Sequence, residues 1–203
     1  TKPEAVKKTL AVYKKEFEAL GIEDAFDNII GIVVQPGVEF GDADIFRYDR
    51  VKAAELTAEM KNYDNVVLEG HSTDYQSPAQ LKEMVEDGIA SLKVGPALTF
   101  SLREGLFALS AMEKLLVKEE KWAHFEEVME AVMLKNPGYW VKHYHGTDEE
   151  LYIKRKFSFS DRCRYYFALP EIQEAMEKLF ANMSEVEIPL SMLRQFMPQQ
   201  YIK

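Results

Sequence analysis

The chain has 203 residues, 47% of them apolar and 29% charged, and a formal net charge of −9. So acidic a balance argues against a nucleic-acid partner, which asks for a basic patch able to displace condensed counterions. The single cysteine, Cys163, excludes an internal disulfide and multi-cysteine metal motifs; no apolar segment approaches the roughly 20 residues of a bilayer span or reads as a signal peptide, so no membrane partner and a cytoplasmic location are expected.

Residues 3–20 read as an amphipathic helix with Val6, Leu10, Tyr13 and Phe17 on one face, closed by Gly21. The apolar run 29–34 suits a strand covered on both faces and ends in Gln35-Pro36-Gly37-Val38-Glu39-Phe40. A helix over 51–60 follows, with Asp49 as its cap. Val66, Val67 and Leu68 start a second strand that stops in Glu69-Gly70-His71-Ser72-Thr73-Asp74-Tyr75-Gln76. Ser77-Pro78 opens a short helix over 79–85, and a third apolar run, 89–94, ends in Gly95-Pro96. Strand, helix, strand, helix, strand at this spacing means right-handed βαβ crossovers and parallel pairing.

Beyond residue 97 the pattern is helical only. Leu98, Leu102, Leu106, Leu109, Met112 and Leu116 stripe a helix over 97–117, Phe125, Val128, Met129 and Val132 one over 122–134, and Asn136-Pro137-Gly138 stops it. A helical segment starts at Ser160 or Asp161 and runs through Phe167; Pro170 opens another over 171–183, and Pro189 and Pro198 punctuate the tail. A closed (β/α)8 barrel takes about 250 residues, and three strands are too few to close one. The expected fold class is therefore α/β: the C-terminal part of a TIM-type barrel, about three parallel βα units over residues 1–97, then an all-helical C-terminal subdomain over 98–203, in a longer protein whose earlier strands lie outside this sequence.

Strand ends are where a barrel holds several polar groups rigidly around one cavity, so chemistry is expected there. His71 is the only histidine at the three strand ends. It is a candidate metal or substrate contact, or it bonds Glu69 or Asp74 and orients a loop. Glu69 and Asp74 are candidate catalytic groups, a base and its orienting partner, or satisfy backbone donors. Lys93 would pair with Glu69, bind an anionic substrate or, with a depressed pKa, form a Schiff base. Gln35 and Glu39 at the first strand end join the candidate substrate contacts. Ser72, Thr73 and the Gly95-Pro96-Ala97 turn could hold a phosphate, although Pro96 removes one amide. Arg162, beside Arg164, Tyr165 and Tyr166, could reach a phosphate or a partner carboxylate, or sit on a helix with solvated arginines. His143 and His145 are read as structural, and His124 as helix surface.

The stretches 32–40 (Ile-Val-Val-Gln-Pro-Gly-Val-Glu-Phe), 69–76 (Glu-Gly-His-Ser-Thr-Asp-Tyr-Gln), 92–100 (Leu-Lys-Val-Gly-Pro-Ala-Leu-Thr-Phe) and 160–166 (Ser-Asp-Arg-Cys-Arg-Tyr-Tyr) closely resemble the Z-type (GatZ/KbaZ) subunit of tagatose-1,6-bisphosphate aldolase, over the later half of a typical member. The resemblance implies a TIM-barrel-like body with a helical C-terminal part. It also implies a subunit without aldolase activity of its own, supporting the activity and stability of a separate zinc-dependent class II aldolase subunit in galactitol or N-acetylgalactosamine catabolism. Aligned with catalytic subunits, His71 falls where a metal histidine would sit, whereas the preceding strand offers Gln35. A divalent metal such as zinc, completed by ligands from the earlier half that lies outside this sequence, is the one cofactor in view. An alternative is a metal-dependent 4-epimerase acting on tagatose 6-phosphate or fructose 6-phosphate. An older family label, tagatose-6-phosphate kinase, finds no Gly-x-x-x-x-Gly-Lys-Ser/Thr loop here and is disfavoured.

Overall fold

The computed structural model describes residues 1–202, which divide into a first unit, Thr1–Gly95, and a second that begins at Pro96. In the first unit, α1 (Pro3–Leu20) is followed by β1 (Gly31–Val34), β2 (Glu39–Phe40), β3 (Ile45–Phe46), α2 (Arg50–Glu59), β4 (Val67–Gly70), α3 (Pro78–Glu86) and β5 (Ile89–Leu92). Strands β1, β4 and β5 form a parallel sheet in that order, with Val33 opposite Glu69 and Glu69 opposite Ser91. Each helix begins where its sequence permits. Asp49 accepts from the amides of Val51 and Lys52, and Ser77 and Gln80 close a reciprocal capping box around Pro78.

Val34, Leu68 and Ile89 bury one sheet face against Val6 and Leu10 of α1, Leu56 of α2 and Met84 of α3. Burying a leucine this completely stabilises by about 2 kcal/mol. The other face is open: Val33 is 55% and Val67 44% exposed. A strand over 29–34 covered on both faces is thus corrected in two respects, because the strand starts at Gly31 and one of its faces lacks a cover within the unit. Tyr13, placed on the apolar face of α1 by its spacing, is half exposed and meets Phe17 edge-on. The two-residue strands β2 and β3 pair antiparallel as a hairpin, too short for an alternating pattern to announce them.

The described elements of the second unit are all helical: α4 (Pro96–Leu116), α5 (Phe125–Lys135), α6 (Asp148–Phe157), α7 (Pro170–Ser184), α8 (Leu190–Phe196) and α9 (Pro198–Ile202). Leu106, Met112, Phe125, Met129, Met133, Ile172 and Leu179 form their core. Leu98 and Leu102, the first members of the expected stripe on α4, stay exposed. Helix α5 starts at Phe125 rather than residue 122 because His124 takes a left-handed φ of 53°, which a helix cannot absorb. Arg162–Tyr166 is a tight 3₁₀ turn and not an α-helix. No helix among the described residues is long and apolar enough to cross a membrane.

Candidate functional site

At the C-terminal end of β4 the ladder runs one residue past the strand, with the His71 amide on Val34 O (2.8 Å) and the Lys93 amide on Gly70 O (2.9 Å). Gly70 fits closely there: a Cβ would stand 3.0 Å from Ile89 Cγ2 and 3.3 Å from Thr73 Cγ2, so either side chain would have to give by a few tenths of an ångström. Ser72 and Tyr75 then adopt left-handed φ values of 59° and 62°, a cost that side chains without local compensation do not accept. The compensation is a set of bonds that ties this loop to its neighbours. Thr73 donates to Lys93 O (2.7 Å), Asp74 accepts from the Gly95 amide (2.9 Å), and Gln76 accepts from the Tyr48 amide (2.9 Å) while donating to Phe46 O (3.0 Å). Tyr75 meets Phe40 edge-on at 5.4 Å. The segment 71–76 is therefore a hub that fixes the exits of β1, the hairpin and β5.

The hub separates the expected site residues into two groups. Thr73 and Asp74 are 2% and 3% exposed and face inward. Gln35, Glu39, Glu69, His71 and Ser72 meet on an accessible rim. Gln35 Nε2 donates to Glu39 Oε2 (2.6 Å) and to Ser72 Oγ (3.1 Å), and Glu39 Oε1 accepts from the Phe40 amide (3.0 Å). His71 Nε2 lies 2.6 Å from Glu69 Oε1, with side chains 26% and 39% exposed. Lys93 is exposed beside His71 and makes no ion pair among the described residues.

As a metal centre the rim is incomplete. Zinc takes three or four protein ligands, whereas His71 and Glu69 supply two that already bond each other. No cluster of three or more His, Cys, Asp or Glu side chains suited to a metal occurs among the described residues. These residues do not fit a metal on their own.

Arg162 belongs to the second unit, where Nη1 donates to Tyr139 O (2.9 Å). His143 and His145 are exposed in the turn before α6, and His124 is exposed just ahead of α5. Spacing alone did not reveal Gln76 as a clamp, nor the Phe40–Tyr75 contact. At the opposite end of β5, Tyr48 donates to Asp87 Oδ2 (2.9 Å) and Arg50 grips the same carboxylate. The Arg50 guanidinium holds Asp87 below the usual carboxylate range, while burial and the Asp87 carboxylate push the Tyr48 phenol up.

Parallel βα units that gather amide, hydroxyl, imidazole and carboxylate groups at their C-terminal strand ends make this an α/β protein, consistent with a partial TIM-like fold. The sequence model of the D-tagatose-1,6-bisphosphate aldolase subunit GatZ/KbaZ-like family matches residues 1–203, and the chain belongs to that family. It is also similar, at 43% identity and a TM-score of 0.93, to the crystal structure of a probable tagatose 6 phosphate kinase from Sinorhizobium meliloti 1021. All of this chain is covered by that likeness and 52% of the other, so the chain spans about half the length of the solved relative.

Proposed function

We propose that the protein is a non-catalytic subunit that supports the activity and stability of a zinc-dependent class II D-tagatose-1,6-bisphosphate aldolase, in the cytoplasmic catabolism of galactitol and N-acetylgalactosamine. Its three βα units are read as the C-terminal part of a TIM-type barrel over residues 1–97, and residues 98–203 as a helical subdomain. The observation that carries the reading is the poverty of metal donors at the strand ends: one imidazole, His71, already 2.6 Å from Glu69, with Gln35 on the neighbouring strand. Zinc that polarises a ketose carbonyl needs three protein ligands and one open position. Family membership supplies the aldolase context.

The experiment is purification of the protein with and without a class II catalytic subunit. Alone, it does not cleave tagatose 1,6-bisphosphate; together, it raises the specific activity or thermal half-life of the catalytic subunit. Unchanged activity and half-life after co-expression would overturn the reading.

The short Glu69–His71 contact favours one second reading, a tagatose-6-phosphate 4-epimerase in which this pair exchanges protons with the sugar. Asp74, its other candidate acid or base, instead accepts from the Gly95 amide, and the divalent metal such chemistry asks for is not completed by the described donors. Conversion of tagatose 6-phosphate to fructose 6-phosphate that disappears in His71→Ala would support it; turnover that survives His71→Ala would remove it.

A further inference from the structure

We infer that the groove between α5 and α7 is a self-association surface, on which the same two helices of a second copy of this chain complete a four-helix bundle. The inference concerns the second unit alone and does not rest on the proposed function.

The two helices run antiparallel. Lys178, late in α7, donates to Trp122 O (2.7 Å) just ahead of α5, and Asn182 donates to Lys121 O (2.8 Å), so the start of α5 lies beside the end of α7. Between them is a groove of about 490 Å³ with Val128, Ala131, Val132 and Ala175 among its lining residues. Small side chains there let a facing pair of helices approach closely and remove this apolar surface from water.

The charges that border the groove are treated differently from their neighbours. Every carboxylate of α5 is engaged within the unit: Glu126 with Lys156 (3.6 Å), Glu127 with Lys114 (2.9 Å) and Glu130 with Arg155 (2.5 Å). Lys135, Glu171, Glu174 and Lys178, which border the groove, are exposed and make no ion pair among the described residues. Two cations and two carboxylates cancel. Two copies of a chain with a net charge of −9 repel one another, and a neutral border removes that cost locally.

The order of these charges selects the occupant and its register. On α7, Glu171, Glu174 and Lys178 share one face with Ala175, at helical spacings of three and four. A two-fold axis crossing α7 at Ala175 lays the helix antiparallel on its copy and brings each Lys178 opposite the turn that carries Glu171 and Glu174 of the other copy. Symmetry makes the same contact twice. Moving the axis one turn toward the end of α7 sets the two copies of Lys178 against each other, and one turn the other way sets the two copies of Glu171 together; both registers are repulsive. Lys178 is already steadied by its bond to Trp122 O and keeps two protons for the partner. A partner of a single charge sign would leave half of the border unmatched.

The test is the oligomeric state of the full chain, measured by sedimentation velocity up to about 100 μM, which populates even a complex of micromolar affinity. The wild type is expected to sediment as a dimer. Lys178→Glu, and Glu171→Lys combined with Glu174→Lys, should each weaken dimerisation by at least about tenfold. An equimolar mixture of the two variants should recover it, because opposite charges then face each other at both ends of the contact. Misfolding of a variant cannot mimic that recovery, and unchanged tryptophan fluorescence verifies each fold.

A wild type that stays monomeric up to that concentration overturns the inference. So does a dimer that survives both charge variants, which would place the contact elsewhere, or folded variants that remain monomeric when mixed. A monomer whose charge variants instead lose a class II aldolase subunit would assign the groove to that partner and overturn self-association.

Discussion

Glu69 and His71 meet at 2.6 Å with both side chains open to water, whereas Arg103 and Asp161 meet at 2.7 Å with side chains 39% and 26% exposed in the first pair and 2% and 0% in the second. The geometry is alike and the consequence is opposite. A water-exposed pair contributes between nothing and about 1 kcal/mol and can exchange a partner for a ligand; a buried pair cannot lose one member without stranding the other. The second unit repeats the buried arrangement, with Arg155 on Glu130 and with Glu113, fully buried, accepting from the Ala123 amide and from Asn182. The buried ion pairs of the helical unit therefore hold structure, while Glu69 and His71 at the rim of the first unit can give up their bond to a ligand.

The contrast breaks first at Asp161. Its carboxylate accepts from Arg103 and Thr99, and Arg103 Nη2 already lacks a partner, so Asp161→Ala should cost about 3–5 kcal/mol. Both tryptophans, Trp122 and Trp140, lie in the second unit, so urea unfolding followed by their fluorescence reads this directly. A loss below about 1 kcal/mol would put the buried pair on a level with an exposed one.

Asp74→Ala comes next. It leaves the Gly95 amide without its acceptor and should cost about 1–3 kcal/mol, with faster exchange of the Gly95 amide proton. Unchanged exchange would mean that the hub does not depend on Asp74.

A smaller effect is expected from pH. Asp87 has a lower pKa folded than unfolded because Arg50 favours its charged form. That contribution is complete above the unfolded value of about 4 and disappears as pH falls through the folded value. The stability advantage of the wild type over Arg50→Met, small because the Arg50 side chain is 45% exposed, should therefore be present at neutral pH and vanish in acid. An advantage independent of pH would contradict it. The smallest effect belongs to Glu69→Gln, expected to shift stability by less than about 0.5 kcal/mol in urea unfolding; a larger loss would mean that the exposed pair holds structure.

The three parallel strands were legible because Val34, Leu68 and Ile89 sit in short apolar runs, each ending in polar or turn residues. The starts of α2 and α3 were legible because Asp49 and Ser77-Pro78 are strong caps. Helix α6 was missed although Thr147 and Glu150 form a capping box, since its ten residues contain few inward apolar positions and Leu151 is the main one. At the site, the sequence placed Glu69, His71 and Ser72 near one another but could not tell them from Thr73 and Asp74. That division is made by the left-handed turns at Ser72 and Tyr75, which neither residue type announces as glycine or asparagine would. The Arg103–Asp161 pair spans 58 residues of sequence, beyond any local pattern.

Cys163 sits behind that pair, its thiol on Asp161 Oδ1 and 1% exposed, and burial pushes its pKa well above the ordinary thiol value. Being the only sulfhydryl in the chain, it is a built-in clock: an aromatic disulfide reagent can react with it only when the surrounding helices part, so the colour released per minute counts those openings.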